Sequence, residues 1–556
     1  MDNYYIADQF SMLAKLMDIH GENSFKAKSY SVAAFNIEKL PVQLVDLPPE
    51  KISSLKGIGD STGKKIAEII KTGSLKALEE YILKTPTGII EMLSIKGLGP
   101  KKIAVIWKEM QIESPGELLY ACNENRLSRY KGFGEKSQES IRQALDFYMQ
   151  HQGSYLFARI EKYAYELDAL LKKSFPKQQF ELTGQIRMHS VVVDKIEWVT
   201  SVPVKDLQQF LASHNFTEED VESGTCSFRT PENVLIRFYS RAKEVFYNTL
   251  FETSSSAEFL EHWNRSFTQG SSIYSSEEEI FSQRKLNFIP PFLREKPYII
   301  EAAVHDDFSM LIQPADIRAI IHSHSTWSDG SNTIEEMAHA CIKNGYEYLV
   351  ISDHSKTAAY ANGLQEERIV QQHLQVDELN KKLAPFKIFK SIESDILGDG
   401  SLDYSENVLS RFDLVIASVH SNLKMSEDKA MTRLLNAIRN PYTTILGHMT
   451  TRLLLSRPGF PVDFRRIIDA CAEHNVVIEI NANPRRLDMD WYWIDYALEK
   501  NVLLSINPDA HDIAEYDNCR YGVLAAQKGG LTKNRNLSSF GLREFEEYLR
   551  KLKDEN

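Results

Sequence analysis

The chain is poor in cysteine: five in 556 residues, at 122, 226, 341, 471 and 519, with no C-x-x-C spacing. That scatter argues against a secreted disulfide scaffold and leaves ordinary thiols. It also lacks any run of about 18 apolar residues, and the polar start MDNYYIADQF is no signal peptide. Those absences remove membrane-spanning and secreted readings and lead to the expectation of a cytoplasmic protein. Positive charge is scarce too. The net charge of −12 argues against indiscriminate coating of nucleic acid, although a whole-chain sum hides local patches.

What is present is a soluble composition, 43 % hydrophobic and 26 % charged, on a chain long enough for three or four domains. Residues 1 to about 150 read as helical, with amphipathic stretches such as IADQFSMLAKLMDIHG and SIRQALDFYMQ separated by glycine turns. One pattern recurs there three times: LKGIGDSTGKKIAEII from Leu55, IKGLGPKKIAVIW from Ile95 and YKGFGEKSQESIRQAL from Tyr130. From about 155 to 300 the texture is α+β, with strand-like VVVDKIEWVTSV and VLIRFYS. The paired prolines of NFIPPFLREKPYIIEAAVHDD mark an extended link and place a boundary near 310. Seven β-branched strand candidates follow: IRAIIHSH, YLVISDH, KIFKSIESD, LVIASVH, TTILGHMT, VVIEINANP and VLLSINPDAH. Helical segments separate them, the pattern of parallel strands in a barrel or an open sheet.

Nearly every one of these strands ends in a histidine or a carboxylate: His322 and His324, His354, Glu393, His420, His448, and Asp509 with His511. In an α/β barrel such ends converge on one mouth. His322 and His324 are two apart and share a strand face, and Asp329 follows in the loop HSTWSDG. Mixed imidazole and carboxylate donors suit manganese, zinc or iron, and nine candidates exceed what one ion needs. Two or three divalent ions are implied, with Glu393 the natural bridge. Such a cluster activates water at neutral pH and stabilises the attacking and leaving oxygens of a phosphate, so phosphoester hydrolysis is the expected chemistry. Arg452, four residues beyond His448, is a candidate clamp on a phosphate oxygen.

The segments IHSHSTWSDGS, ISDHS, SIESDI, ASVHS, GHMTTRLL, EINANPRRLD and PDAHD resemble the polymerase and histidinol phosphatase (PHP) domain from about Asp316 to the end. All nine positions where that family carries ligands hold ligand-competent residues. His339, His373 and His474 fall outside those motifs and read as ordinary helix or loop histidines.

The three KGxG units resemble helix-hairpin-helix motifs, in which a glycine hairpin exposes backbone N–H groups to a DNA phosphate without reading sequence. The expected contacts are Gly57, Gly59, Lys64 and Lys65; Gly97, Gly99, Lys101 and Lys102; and Gly132, Gly134 and Lys136. The order of parts resembles the bacterial family X DNA polymerases with an attached PHP exonuclease, over essentially the whole chain. That resemblance implies an eight-kilodalton-like DNA-binding domain at 1–80 and a fingers-like domain with two hairpins at 81–152. It further implies a palm and thumb at 153–310 and a distorted (β/α)7 PHP barrel at 316–556.

The palm departs from the family. A nucleotidyl transferase needs about three acidic ligands for two magnesium ions. Keeping the family's spacing through GQIRMHSVVVDKIEWV, the first aspartate falls on Lys195, the second on Glu197 and the third on Leu235. Asp194 is displaced by one residue, to the other face of a strand. Gln185 and Met188 replace the family's serine and second arginine, and ETSSSAEF lacks its TGS glycine. These losses argue against magnesium at the palm and for lost polymerase activity. Ile69 occupies the position of the Schiff-base lysine of lyase-active relatives, with Lys64 or Lys65 as candidate substitutes.

The favoured reading is a DNA-binding 3′-5′ exonuclease or 3′-end phosphoesterase of DNA repair, monomeric, acting on gapped or 3′-ended DNA. One rival is a gap-filling polymerase using Glu197, Asp194 and an unconventional third ligand. Another is a non-catalytic scaffold for DNA ends.

Overall fold

Short amphipathic helices hinged on glycine give way, past residue 150, to β-sheets, and the strands after residue 318 are buried on both faces. The computed structural model describes residues 3–22, 24–38, 40, 42–55, 58–149, 153–267 and 273–555. The chain divides into two compact units, 1–149 and 150–556. Among the described residues no helix is long and apolar enough to cross a membrane.

The first unit is helical. Helices α1 (Asn3–His20), α2 (Ser24–Glu38), α3 (Pro49–Ile52), α4 (Asp60–Thr72), α5 (Lys76–Lys84), α6 (Thr87–Met92), α7 (Pro100–Lys108), α8 (Pro115–Asn123) and α9 (Glu135–Met149) follow in order. Ile66, Ile69, Ile103, Ile106, Ile141 and Leu145 face one shared core at helical spacing.

The second unit begins with a two-stranded sheet, β1 (Tyr155–Leu156) and β3 (Val192–Val193), beside a five-stranded one. The latter comprises β2 (Phe180–Thr183), β4 (Ile196–Thr200), β5 (Thr217–Glu222), β6 (Thr225–Arg229) and β7 (Leu235–Ser240), in the order β2-β4-β7-β6-β5. Only β4 and β7 run parallel. The edge strand β5, TEEDVE, is exposed and acidic, which discourages pairing with another chain.

The rest of the unit is a parallel barrel. Strands β8 (Ala319–Ile320), β9 (Tyr348–Ile351), β10 (Lys387–Asp395), β11 (Leu414–Ser418), β12 (Ile445–Leu446), β13 (Val477–Asn481) and β14 (Leu504–Asn507) pair in sequence. A parallel bridge between Ser323 and Ala510 brings the two ends of the sheet together. Period-2 alternation sends residues to two cores. Tyr348, Val350, Phe389, Leu414, Ile416 and Val477 join Phe545 and Leu549 of the C-terminal helix. Leu349, Ile351, Val415, Ala417, Ile478 and Ile480 meet the surrounding helices. Phe545 stacks on Tyr348 with ring centroids 4.5 Å apart. Glu393 and Glu479 share the strand parity of Phe389 and Val477, so both point into the barrel.

The expected boundary near 310 is crossed by ion pairs. Arg520 of the barrel grips Glu161 with two bonds of 2.7 Å, and Tyr521 donates to the same carboxylate at 2.7 Å. Buried Lys528 bridges the Met188 carbonyl and Glu295, both at 2.7 Å.

Candidate functional site

The C-terminal ends of the barrel strands deliver their side chains into one buried focus. Glu393, fully buried at the end of β10, lies within 4 Å of five imidazoles. His354 Nδ1 and His448 Nε2 are each 2.9 Å from it, His420 Nε2 3.1 Å, His322 Nε2 3.2 Å and His324 Nε2 3.7 Å. Asp329, on the loop after β8, forms a second focus with His511 Nε2 at 3.5 Å, His354 Nε2 at 3.6 Å and His324 Nδ1 at 3.9 Å. Asp509, past β14, makes a third with His324 Nε2 at 3.1 Å and His322 Nε2 at 3.3 Å. Three overlapping groups thus have their donor atoms within 4.8 Å of one another: His324, Asp329, His354 and His511; His322, His324 and Asp509; His354, Glu393 and His420.

Metal ions fit this chemistry. The buried His324 Nδ1 and His322 Nε2 find no hydrogen-bond partner among the described residues, although polar atoms surround both. Bare carboxylates and ring nitrogens at these spacings are what divalent cations join. Shared residues between groups suit two or three ions.

The electrostatics agree with an ionised acceptor set. Burial alone would raise Glu393, but His420, His322 and His354 hold it well below the carboxylate range. Burial opposes charge on Asp509 too, and His322 and the His324 bond overcome it. Burial disfavours the His322 imidazolium, yet Glu479, Asp509 and Glu393 push its pKa well above 6.5. His324, buried beside His511 and His354, falls to about 3.

A second layer of residues, outside the strand-end pattern, aims the ligand candidates. Glu479, on β13, accepts from His322 Nδ1 at 2.6 Å, so that His322 Nε2 faces the cluster. The same carboxylate accepts from the His448 amide at 3.0 Å and from Asn507 at 2.8 Å. Asp395 bonds His420 Nδ1 in the same manner. Asp353 accepts from Ser325, Ser328 and Gln372 and fixes the loop that carries Asp329. Asp395 lies two residues beyond Glu393, on the same strand face, a signal available from spacing alone. His322 and Asp509 adopt φ of +64° and +52°, strain concentrated at two ligands of one group.

Arg452, the candidate phosphate clamp, is held by loop partners instead of facing the metal-ligand candidates. Its guanidinium donates to the Arg486 carbonyl at 2.9 Å, to the Leu487 carbonyl and to Asp490. Those bonds pin the loops after β12 and β13 together, because Nε and both terminal nitrogens already have partners. The arginine seen against a ligand is Arg486, 3.7 Å from Asp509.

The glycine hairpins share one geometry. A backbone bond closes each turn: Ile58 to Leu55 at 3.0 Å, Leu98 to Ile95 at 3.1 Å and Phe133 to Tyr130 at 3.0 Å. Gly97 and Gly132 take φ of +91° and +95°, which L side chains resist. Gly57 lies outside the described residues. Gly59 and Gly99 cap α4 and α7, and Gly134 directly precedes α9. A Cβ on Gly59, Gly99, Gly132 or Gly134 would meet no atom within 4 Å. Lys64, Lys101 and Lys136 are exposed and Lys65 is half-buried. Lys102 instead ties two hairpins together, donating to the Gly97 carbonyl and to Ser137, both at 3.2 Å. Ile69 is a core residue.

In the palm, Glu197 is held by Lys195 at 2.9 Å and by the Tyr239 hydroxyl at 2.8 Å. Its register partner on parallel β7 is Arg237. Leu235 opens β7, half-buried. Asp194 is not on the far face of a strand: the stretch read as one strand breaks into β3 and β4, and Asp194 lies in the link. There it accepts from Ser154 at 2.7 Å and from Gln185 at 3.2 Å. Among the described residues, every cluster of three or more ligand-competent side chains lies in the barrel mouth.

Residues 1–75 match the helix-hairpin-helix domain family, 89–146 the SAM-like helix-hairpin-helix tandem and 321–483 the PHP domain family. The chain is 33 % identical to the DNA polymerase/3′-5′ exonuclease PolX of Bacillus subtilis, over 97 % of this chain and 98 % of that protein. It is 27 % identical to a probable phosphatase of Thermoanaerobacter sp., over 42 % of this chain and 94 % of the relative. A probable phosphatase of Caldanaerobacter subterraneus is 30 % identical over 35 % of this chain and 78 % of its own length.

Proposed function

The chain belongs to the bacterial family X DNA polymerases that carry a PHP domain, and on that basis we propose that its barrel is a metal-dependent 3′-5′ exonuclease acting on DNA. The observation that carries the reading is the convergence of nine ligand-competent side chains on one buried mouth, with Glu393 at its centre. His322, His324 and Asp509; His324, Asp329, His354 and His511; and His354, Glu393 and His420 would hold two or three ions, with His448 against Glu393. Manganese, zinc and iron all suit these donors. Such ions, when bound, activate water and neutralise charge on a phosphodiester. The protein's own part is to orient: Glu479 and Asp395 fix the rings of His322 and His420, and burial keeps bulk water from the ligands.

The open hairpin amides and the exposed Lys64, Lys101 and Lys136 are the groups suited to hold DNA phosphates without reading sequence, in gapped or 3′-ended substrates. We read the palm as having lost nucleotidyl transfer, because Lys195 and Arg237 put cations where magnesium would sit and Glu197 is already paired.

His322→Ala should abolish release of nucleotides from a 5′-labelled primer and lower bound manganese or zinc in metal analysis. Digestion at the wild-type rate would sink the assignment. In primer extension on gapped DNA the wild type should incorporate nothing; robust incorporation lost on Glu197→Ala would restore the polymerase reading.

A further inference from the structure

The loops after β12 and β13 build a feature that the metal chemistry leaves unused. They wall a surface cleft of about 1030 Å³ lined by Arg457, Phe460, Phe464, Trp491, Tyr492 and Trp493. Its lining starts at Thr450, two residues beyond His448, so the two Cα atoms are at most about 7.6 Å apart. The cleft therefore lies on the barrel face where the strand ends deliver the metal cluster, with one wall beside His448.

The chemistry of the lining separates a base from a phosphate. Arg452 is tied to Asp490 and two carbonyls, and Arg457 donates to the Thr451 carbonyl at 2.7 Å. The face left over is aromatic. Tyr492 is 50 % exposed, although Lys296 Nζ, 4.0 Å from its ring centroid, takes one ring face, and Trp493 is backed by Phe464 with centroids 5.0 Å apart and rings within 10°. Exposed aromatic surface of this kind marks a binding site. Nucleobases stack on such rings whatever their identity.

We infer that this cleft binds the nucleobases at the 3′ end of a DNA strand while the adjoining phosphate lies at the metal cluster, an inference that rests on the exonuclease reading above. The volume is at the upper end for small-ligand sites and has room for more than one nucleotide. A protein segment is the weaker occupant, since the exonuclease reading already brings a nucleic-acid strand to this face of the barrel.

The test uses the full chain loaded with manganese and a 5′-labelled single strand. Tyr492→Ala should raise KM by roughly tenfold, and Tyr492→Phe, which keeps the ring, should restore it. On a strand whose last two residues lack bases, wild type and Tyr492→Ala should converge. In a second measurement, with metal chelated, a strand ending in 5-iododeoxyuridine should photo-cross-link to the segment 491–493. Equal KM for wild type and Tyr492→Ala on the normal strand, or a cross-link confined to other segments, overturns the inference and assigns the cleft to another occupant. Wild-type inactivity on every strand with manganese, zinc or iron overturns the exonuclease reading and this one with it.

Discussion

At the scale of single residues, the centre is organised by carboxylates that face histidines from behind. His322 is held between Glu479 on one ring nitrogen and Glu393 and Asp509 on the other. Glu479→Gln keeps the shape but weakens the acceptor that orients the ring. Its expected effect is a loss of about 10- to 100-fold in metal affinity, measured by competition with a chelator; unchanged affinity would show that His322 needs no such support. Eight of the nine inner residues were legible in the sequence because they follow or close β-branched strands, where a histidine or carboxylate stands out; Asp329 was legible only from the loop motif HSTWSDG. Glu479 was not, because a lone acid in mid-strand looks like any buried polar residue until its neighbour across the barrel is known. Arg452 shows the opposite limit: position near a ligand in the chain does not say where three guanidinium nitrogens find partners.

Elements show the same division between local and long-range information. The hairpins were readable because glycine spacing is a local property, and the turn bonds repeat at all three copies. Two substitutions separate their roles. Gly97→Ala forces a side chain to φ +91° and should cost about 1–2 kcal/mol of stability as well as DNA affinity. Gly99→Ala has extended backbone and open space, so its melting temperature should stay near wild type while DNA binding weakens. Thermal melts and fluorescence anisotropy on duplex DNA decide this. Equal DNA affinity for Gly99→Ala and wild type would mean that no phosphate approaches that amide. The palm strands were less legible. VVVDKIEWVTSV has the composition of one strand, but it serves two sheets, and only the pairing of β1 with β3 shows where it must break.

For the second unit as a whole, the seam between palm and barrel carries a titratable group that serves no chemistry. His189 stacks on Phe292 at 5.0 Å, and its buried Nδ1 has no hydrogen-bond partner among the described residues. Burial, with Lys528 and Arg520 nearby, lowers its pKa from 6.5 to about 4. The folded state therefore keeps this ring neutral between those values while the unfolded chain takes up a proton. Stability is fully present above pH 6.5 and is lost as pH falls to 4, by up to about 3 kcal/mol. Melting temperatures between pH 7 and 4.5 should fall more steeply for wild type than for His189→Phe; parallel curves would rule the residue out. Lys528 gives this seam another meaning. Its ammonium is enclosed, and its partners, the Met188 carbonyl and Glu295, both lie on the polymerase-like side. Cutting the chain at the hydrolase boundary would remove both partners and return that charge to water. The polymerase-like residues thus act as a cover as well, keeping a lysine of the barrel from water.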